Sequence, residues 1–191
     1  MIKVILFDFA GVIGTEGYWL WLKENVPDLE NKKFYFESLS QKIDRAEITD
    51  EEFINGVAKG ANVSSKIIKK EVFEKIIINK ELLAFITQLR KKYRIGLLTN
   101  YHLDWIKELL ANNDLDKYFD GEIISAIYKT IKPDREIFQI ALDLFKVNSS
   151  EVIFIDDRQK NVDGAKKLGI KSFLFTTNSK LAEDLKIIYN K

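Results

Sequence analysis

The chain has 191 residues, 46% of them hydrophobic and 31% charged, enough to bury the core of one domain or of one domain carrying a smaller insertion. Lys and Arg number 30 against 29 Asp and Glu, a formal net charge of +1 that gives no global reason to expect nucleic acid or an anionic membrane as a partner. The lack of cysteine excludes disulfides, thiolate zinc sites, iron–sulfur clusters and a cysteine nucleophile, and a single histidine, His102, excludes most histidine-cluster metal sites.

In chain order, Val4-Ile5-Leu6-Phe7 reads as a strand ending at Asp8. A continuous apolar run of this length suits a strand covered on both faces, as in a parallel sheet. Gly11 and Gly14 then mark a turn. From about residue 17 to 79 no β run appears. Ile67, Ile68, Val72 and Ile76 recur at helical spacing, and Thr49 with Glu52 reads as a capping box, so this segment is expected to be an insertion of several short helices. Beyond it strands and helices alternate. Leu82, Phe85, Ile86 and Leu89 make a helix face, and Ile95-Gly96-Leu97-Leu98 is a strand ending in Thr99-Asn100. Ile106, Leu109 and Leu110 stripe a further helix, Glu122-Ile123-Ile124-Ser125 is a short strand, and Ile137, Phe138, Ala141, Leu144 and Phe145 give a helix just after Pro133. Val152-Ile153-Phe154-Ile155 is a strand ending at Asp156-Asp157, Ser172-Phe173-Leu174-Phe175 is the last strand, and Leu181, Leu185 and Ile188 stripe the closing helix. This alternation predicts a parallel α/β sheet. No apolar run approaches the ~20 residues of a membrane span, and the N-terminus lacks the regions of a signal peptide, so a soluble, cytoplasmic protein is expected. Oligomeric state is not legible in the sequence.

In parallel sheets ligands bind outside the carboxyl ends of the strands, and three expected strand ends here are polar: Asp8, Thr99-Asn100 and Asp156-Asp157. Two adjacent carboxylates at a buried strand end repel and lose hydration, for which a cation is the natural compensation. Oxygen ligands without His or Cys favour a hard metal such as magnesium. The plainer reading has Asp156 capping the helix that begins near Gln159 and Asp157 in solvent. The ring of Pro133 keeps Lys132 out of helical geometry, and the proline suits the first turn of the helix that follows. The Lys132 ammonium could hold a phosphoryl group or an Asp nucleophile, or could be a solvated loop lysine. Thr99-Asn100 offers a hydroxyl and a backbone N–H for an anion, or caps the next helix. Together these pieces allow an aspartate nucleophile that forms an aspartyl-phosphate, with a metal, a lysine and donor groups neutralising charge.

The four motifs, Ile5 to Ile13 around Asp8, Leu97-Leu98-Thr99-Asn100, Lys132-Pro133-Asp134 and Ile153-Phe154-Ile155-Asp156-Asp157 with Asn161, Ala165 and Leu168-Gly169 behind it, resemble in this order the haloacid dehalogenase (HAD) superfamily. The resemblance covers nearly the whole chain. It implies a Rossmann-like parallel sheet sandwiched by helices, residues 1–14 and 80–191, with a small all-helical cap domain at 15–79, where this family inserts its first cap. It further implies a magnesium-dependent phosphomonoesterase acting on a small phosphorylated metabolite. Asp8 matches the nucleophile and a magnesium ligand, Thr99 and Asn100 the phosphate binders, and Lys132 the lysine of the third motif. Asp157 matches the main ligand of the fourth motif, with Asp156 its acidic neighbour. One position departs: most phosphatases of the family carry a second Asp two residues after the nucleophile as acid/base, and this chain has Ala10. Its carbonyl can still bind the metal. The proton-transfer role is lost, and with it roughly 10²–10⁴-fold in rate, so slow turnover is expected. Ala10 leaves three readings open: a phosphatase with another arrangement, a catalytically disabled phosphate- or partner-binding protein, or a phosphonate-cleaving hydrolase. The last needs a cap lysine, for which Lys23, Lys32, Lys33, Lys42 and Lys59 are candidates. Dehalogenation fits poorly, since Ala10 is not the aromatic residue of that branch.

Other residues read more plainly. His102, near the mouth of the site, could transfer a proton but reads as an ordinary loop histidine, and Tyr18, Trp19 and Trp21 could stack on a substrate but read as packing aromatics. Arg45 and Arg158 could reach a phosphate but read more plainly as exposed arginines, Lys66 to Glu71 as the solvated face of a helix, and Gly11 and Gly14 as no dinucleotide fingerprint.

Overall fold

The strands of the computed structural model, which describes residues 1–189 and the last three of these by backbone alone, are β1 (Val4–Phe7), β2 (Arg94–Thr99), β3 (Gly121–Ile124), β4 (Val152–Asp156) and β5 (Lys171–Leu174). All pair in parallel, in the order β3-β2-β1-β4-β5. The period-2 alternation of strand side chains sorts their apolar runs onto two faces. Ile5 and Phe7 share one face with Ile95, Leu97, Ile153 and Ile155. It is covered by α5 (Lys80–Leu89), α6 (Leu103–Asn112) and α10 (Asn178–Tyr189) through Leu82, Ile86, Ile106, Leu110, Leu181 and Leu185. Val4 and Leu6 share the other with Leu98, Val152 and Phe154, under α8 (Arg135–Phe145) and α9 (Gln159–Lys167). The result is a three-layer α/β, Rossmann-like fold. Gly96 is small because β2 runs against a full layer there: a Cβ would stand 2.5 Å from Leu6 and 2.7 Å from the Phe145 ring.

Between β1 and α5 lie four helices, α1 (Gly17–Asn25), α2 (Leu29–Asp44), α3 (Asp50–Ala61) and α4 (Ser65–Glu74). α1 packs on α4, α4 on α3 and α3 on α2, around Trp21, Leu22, Phe36, Phe53, Val57, Ile68 and Val72. Trp105 of α6 enters the same cluster and ties it to the sheet layers. The capping box of α3 forms in full: the Thr49 hydroxyl accepts from the Glu52 N–H at 3.2 Å and the Glu52 carboxylate accepts from the Thr49 N–H at 2.8 Å.

Several local expectations are corrected. Ser125 is not the end of β3 but opens α7 (Ser125–Tyr128), because its buried hydroxyl accepts from the Tyr101 N–H at 3.1 Å and leaves the strand ladder. Phe175 lies past β5 and Ile76 past α4. Pro133 stands outside α8, whose N-cap is Asp134; its peptide bond with Lys132 is cis. The Lys66 to Glu71 stretch is solvated only in part: Lys66, Ile67 and Lys70 are exposed, but Ile68 is fully buried and Glu71 accepts a 2.8 Å hydrogen bond from the Trp21 indole. The side chain of Ile188 lies outside the described residues. Among the described residues no helix is long and apolar enough to cross a membrane.

Candidate active site

The strand register brings the polar strand ends together. Phe7 pairs with Leu97 on one side and Ile155 on the other, so Asp8, Thr99 and Asp156 emerge on three neighbouring strands at one edge of the sheet. The chain leaves β1 toward β2 and β3, then crosses back to β4 on the far side of β1, so a topological switch point lies between β1 and β4. Asp8 and Asp156 flank it.

Lys132, from the connection between β3 and α8, reaches into this edge and is almost completely buried. Its ammonium donates to Asp8 Oδ1 at 2.8 Å, to Asp156 Oδ2 at 2.7 Å and to the Leu98 carbonyl at 2.8 Å. An ammonium has three donors, and all three are engaged. Lys132 therefore fixes and partly neutralises Asp8, and it can reach a phosphoryl oxygen only by exchanging one of these partners. Its loop is held by Asn100, whose side chain accepts from the Lys132 N–H at 2.7 Å and donates to the Lys132 carbonyl at 3.0 Å. Thr99 is fully buried at the end of β2, and its hydroxyl has no protein partner.

The three carboxylates differ in support. Asp156 is fully buried and accepts from the Arg158 N–H at 2.8 Å and from the Asn161 amide at 3.0 and 3.1 Å. Burial pushes its pKa up, but Lys132 and these donors win and hold it below the usual carboxylate range. Asp8 accepts from the Phe9 N–H at 2.7 Å and from Lys132. Burial raises it well above the usual range in spite of that ammonium, with the neighbouring Asp156 adding to the rise. Asp157 is pushed up to about 6 by burial and then by Glu16 and Asp156, and its Oδ1 is buried without a partner. It is not the solvated residue of the plainer reading, whereas Asp156 does anchor the turn into α9. The Asp157 carboxylate lies against the Gly11 backbone, where φ is +78° and a Cβ would stand 2.1 Å from Oδ2. Only glycine fits that turn without strain. One oxygen each of Asp8, Asp156 and Asp157 lie within 4.8 Å of one another. Three carboxylates facing one ammonium, with an orphaned oxygen on Asp157, form an all-oxygen donor set suited to a hard divalent cation.

Above this edge is a cavity of about 110 Å³. Asp8, Ala10, Asn100, Lys132, Arg158 and Asn161 line it from the sheet side, and Glu16, Tyr18, Trp19, Ser40, Asp44 and Phe53 from the four-helix segment. Two ion pairs join the halves, Arg158 to Glu16 at 2.6 Å and Arg45 to Asp134 at 2.8 Å, so neither arginine is a free surface residue. His102 is not an ordinary loop histidine: it is buried at the N-cap of α6, stacked on Tyr101 and 4.4 Å from the Trp105 ring, and burial drops its pKa to about 3. Tyr18 and Trp19 do face the cavity, while Trp21 is core. Lys23, Lys32, Lys33, Lys42 and Lys59 do not line it, which leaves the phosphonate-cleaving reading without its lysine. Sequence reasoning missed Glu16 and Asp44. The one available signal for Asp44 is an acidic residue closing a helix at its negative end, against the macrodipole.

Sheet order, layers and switch point define an α/β, Rossmann-like core. The haloacid dehalogenase-like hydrolase family matches residues 2–169, and the chain belongs to it. The D-ribitol-5-phosphate phosphatase of Bacteroides thetaiotaomicron is 26% identical over the full length of both chains. The phosphorylated carbohydrates phosphatase of Thermotoga maritima is 31% identical over 54% of this chain and 49% of its own. A HAD family enzyme from B. thetaiotaomicron, solved in complex with magnesium and inorganic phosphate, superposes with a TM-score of 0.78 at 26% identity, covering 93% of this chain and 96% of that one. A predicted HAD-like family hydrolase from Porphyromonas gingivalis, at 21% identity and a TM-score of 0.82 over 100% and 99% of the two chains, shares the fold. The chain is thus a hydrolase, and these relatives support a phosphatase role.

Proposed function

We propose that the protein is a magnesium-dependent phosphomonoesterase for a small phosphorylated polyol or sugar, working through an aspartyl-phosphate on Asp8. The observation that carries this reading is the Asp8 carboxylate braced by Lys132 at the switch point, beside the unpartnered oxygen of Asp157 and beneath the cavity. The names of the relatives add the substrate class. Asp8, the Ala10 carbonyl and Asp157 would hold the magnesium, with Asp156 in support. When bound, the ion supplies charge neutralisation for the phosphoryl oxygens. Lys132 orients Asp8 for in-line attack on phosphorus, and the Thr99 hydroxyl and Asn100 N–H bind phosphoryl oxygens. Residues 15–79 act as a cap over a core of 1–14 and 80–191, excluding bulk water from the reacting phosphoryl group. Ala10 brings no proton donor, so turnover of alkyl phosphates is slow unless another cavity group supplies one.

The test is phosphate release from a panel of sugar and polyol phosphates with magnesium and then with chelator. Magnesium-dependent release that disappears in Asp8→Asn, with the variant still folded by circular dichroism, is the expected result. Release that persists unchanged in that variant removes Asp8 from the chemistry.

A further inference from the structure

Breaking the P–O bond of an alkyl phosphate leaves an alkoxide that needs a proton, and position 10 offers only a methyl group. Most protonatable side chains in the cavity wall are committed elsewhere. Glu16 is tied to Arg158 at 2.6 Å, and the three donors of Lys132 are engaged. Burial keeps His102 neutral and pushes the hydroxyls of Tyr18 and Tyr101 far above their usual range. Glu37 stands seven residues back along α2, about 10 Å of helix from the end that faces the strand edge.

Asp44 remains. It is the last residue of α2, at the helix's negative end, where the macrodipole disfavours a carboxylate. It lines the same cavity as Asp8. The charged groups that face it are Arg158, Glu16 and Lys132, Tyr18 and Tyr101 feel its charge, and on its own helix the Ser40 hydroxyl donates to it at 3.4 Å. None of the cations is in a salt bridge with it; Arg158 is taken by Glu16 and Lys132 by Asp8 and Asp156.

We propose that Asp44 is the proton donor and acceptor for ester cleavage at Asp8, a role that rests on the phosphomonoesterase reading above. In the first step a carboxylate oxygen of Asp8 attacks phosphorus and the bond from phosphorus to the ester oxygen breaks. The leaving oxygen keeps the electron pair and takes the proton of the Asp44 carboxyl, giving the free alcohol, the aspartyl-phosphate and an Asp44 carboxylate. In the second step that carboxylate takes a proton from water as the water oxygen bonds to phosphorus. The bond from Asp8 to phosphorus breaks, inorganic phosphate forms, and Asp44 is again an acid. Burial, opposed by Arg158, holds the Asp44 pKa at about 7, so the acid form is well populated at neutral pH and is lost as pH rises past that value.

The experiment compares kcat/KM for ribitol 5-phosphate, whose alkoxide needs protonation, with that for 4-nitrophenyl phosphate, whose leaving group does not. Both are measured with magnesium from pH 5 to 9, in the parent and in Asp44→Asn. The parent is expected to lose ribitol 5-phosphate turnover above about pH 7. In Asp44→Asn that turnover falls by roughly 10²–10⁴-fold and its alkaline limb disappears, while the aryl phosphate loses less than about tenfold. Equal losses on both substrates, or an alkaline limb that survives in the variant, overturn the assignment. A parent active on the aryl ester but on no alkyl phosphate of the sugar and polyol panel overturns it too, because no working proton donor is then present. A parent inactive on both sinks the phosphomonoesterase reading itself. Stability gives a readout independent of turnover. A carboxyl whose pKa is raised in the fold costs stability as pH climbs from about 4 through about 7, so Asp44→Asn melts above the parent at pH 8 and the gap closes near pH 4. A variant that melts below the parent at pH 8 contradicts the buried-acid premise.

Discussion

At the scale of single residues, Lys132 decides the electrostatics of the strand edge. Its ammonium is the group shared by Asp8 and Asp156, and its side chain is completely buried between them. Removing one partner of a buried ion pair leaves uncompensated charge and costs about 3–5 kcal/mol. Lys132→Met keeps the apolar stem and removes the charge, so it is expected to lose about that much in urea denaturation with chelator present. A loss below about 1 kcal/mol would mean that water or protonation relieves Asp8 and Asp156, and that the brace is unimportant. Lys132 was legible in the sequence because the proline behind it fixes its place before a helix. Its saturation was not: that three acceptors from three strands converge on one ammonium is a property of sheet order.

Among elements, the contact that matters most is the one between the four-helix segment and α6. Trp105 is almost fully buried there, with ring centroids 5.8 Å from Phe53 and 5.4 Å from Phe73. Deleting a buried Trp side chain typically costs about 3–5 kcal/mol. Trp105→Ala is expected to fall in that range by thermal or urea unfolding, and a cost near zero would show that the segment stands without α6. The two ion pairs across the cavity are partly exposed and worth about 0–1 kcal/mol each. Their contribution is orientation: Arg45 and Glu16 hold the end of α2 and the entry to α1 against the loops that carry Lys132 and Asp157.

For the whole molecule, the balance of charge at one edge of the sheet governs stability against added cations. A ligand that binds only the folded state stabilises it by RT ln(1 + [L]/Kd), about 2.7 kcal/mol at a hundredfold excess over Kd. Magnesium is therefore expected to raise the melting temperature, chelator to reverse the gain, and Asp157→Asn to abolish most of it, because the orphaned Oδ1 is then replaced or neutralised. A magnesium-induced rise of equal size in Asp157→Asn would place the cation elsewhere.

The strands were legible because both faces of a parallel sheet are covered, which forces nearly continuous apolar runs such as Val4 to Phe7 and Val152 to Ile155, and each run stops where the chain turns polar. The same logic exposed Asp8, Thr99, Lys132 and Asp156-Asp157, which follow such runs or precede a helix. Ser125 left β3 for a reason no window of sequence holds, since its hydroxyl pairs with Tyr101, 24 residues away. The cavity placement of Asp44, Glu16 and Arg158 was illegible for the same kind of reason. Each is an ordinary charged residue in its own segment, and its place in the cavity wall exists only once four helices fold back across the sheet. The sequence alone determined the strand ends, the motif order and the carboxylates at those ends; tertiary structure decided which side chains share the cavity above Asp8, because contacts between residues far apart in the chain set desolvation and charge pairing.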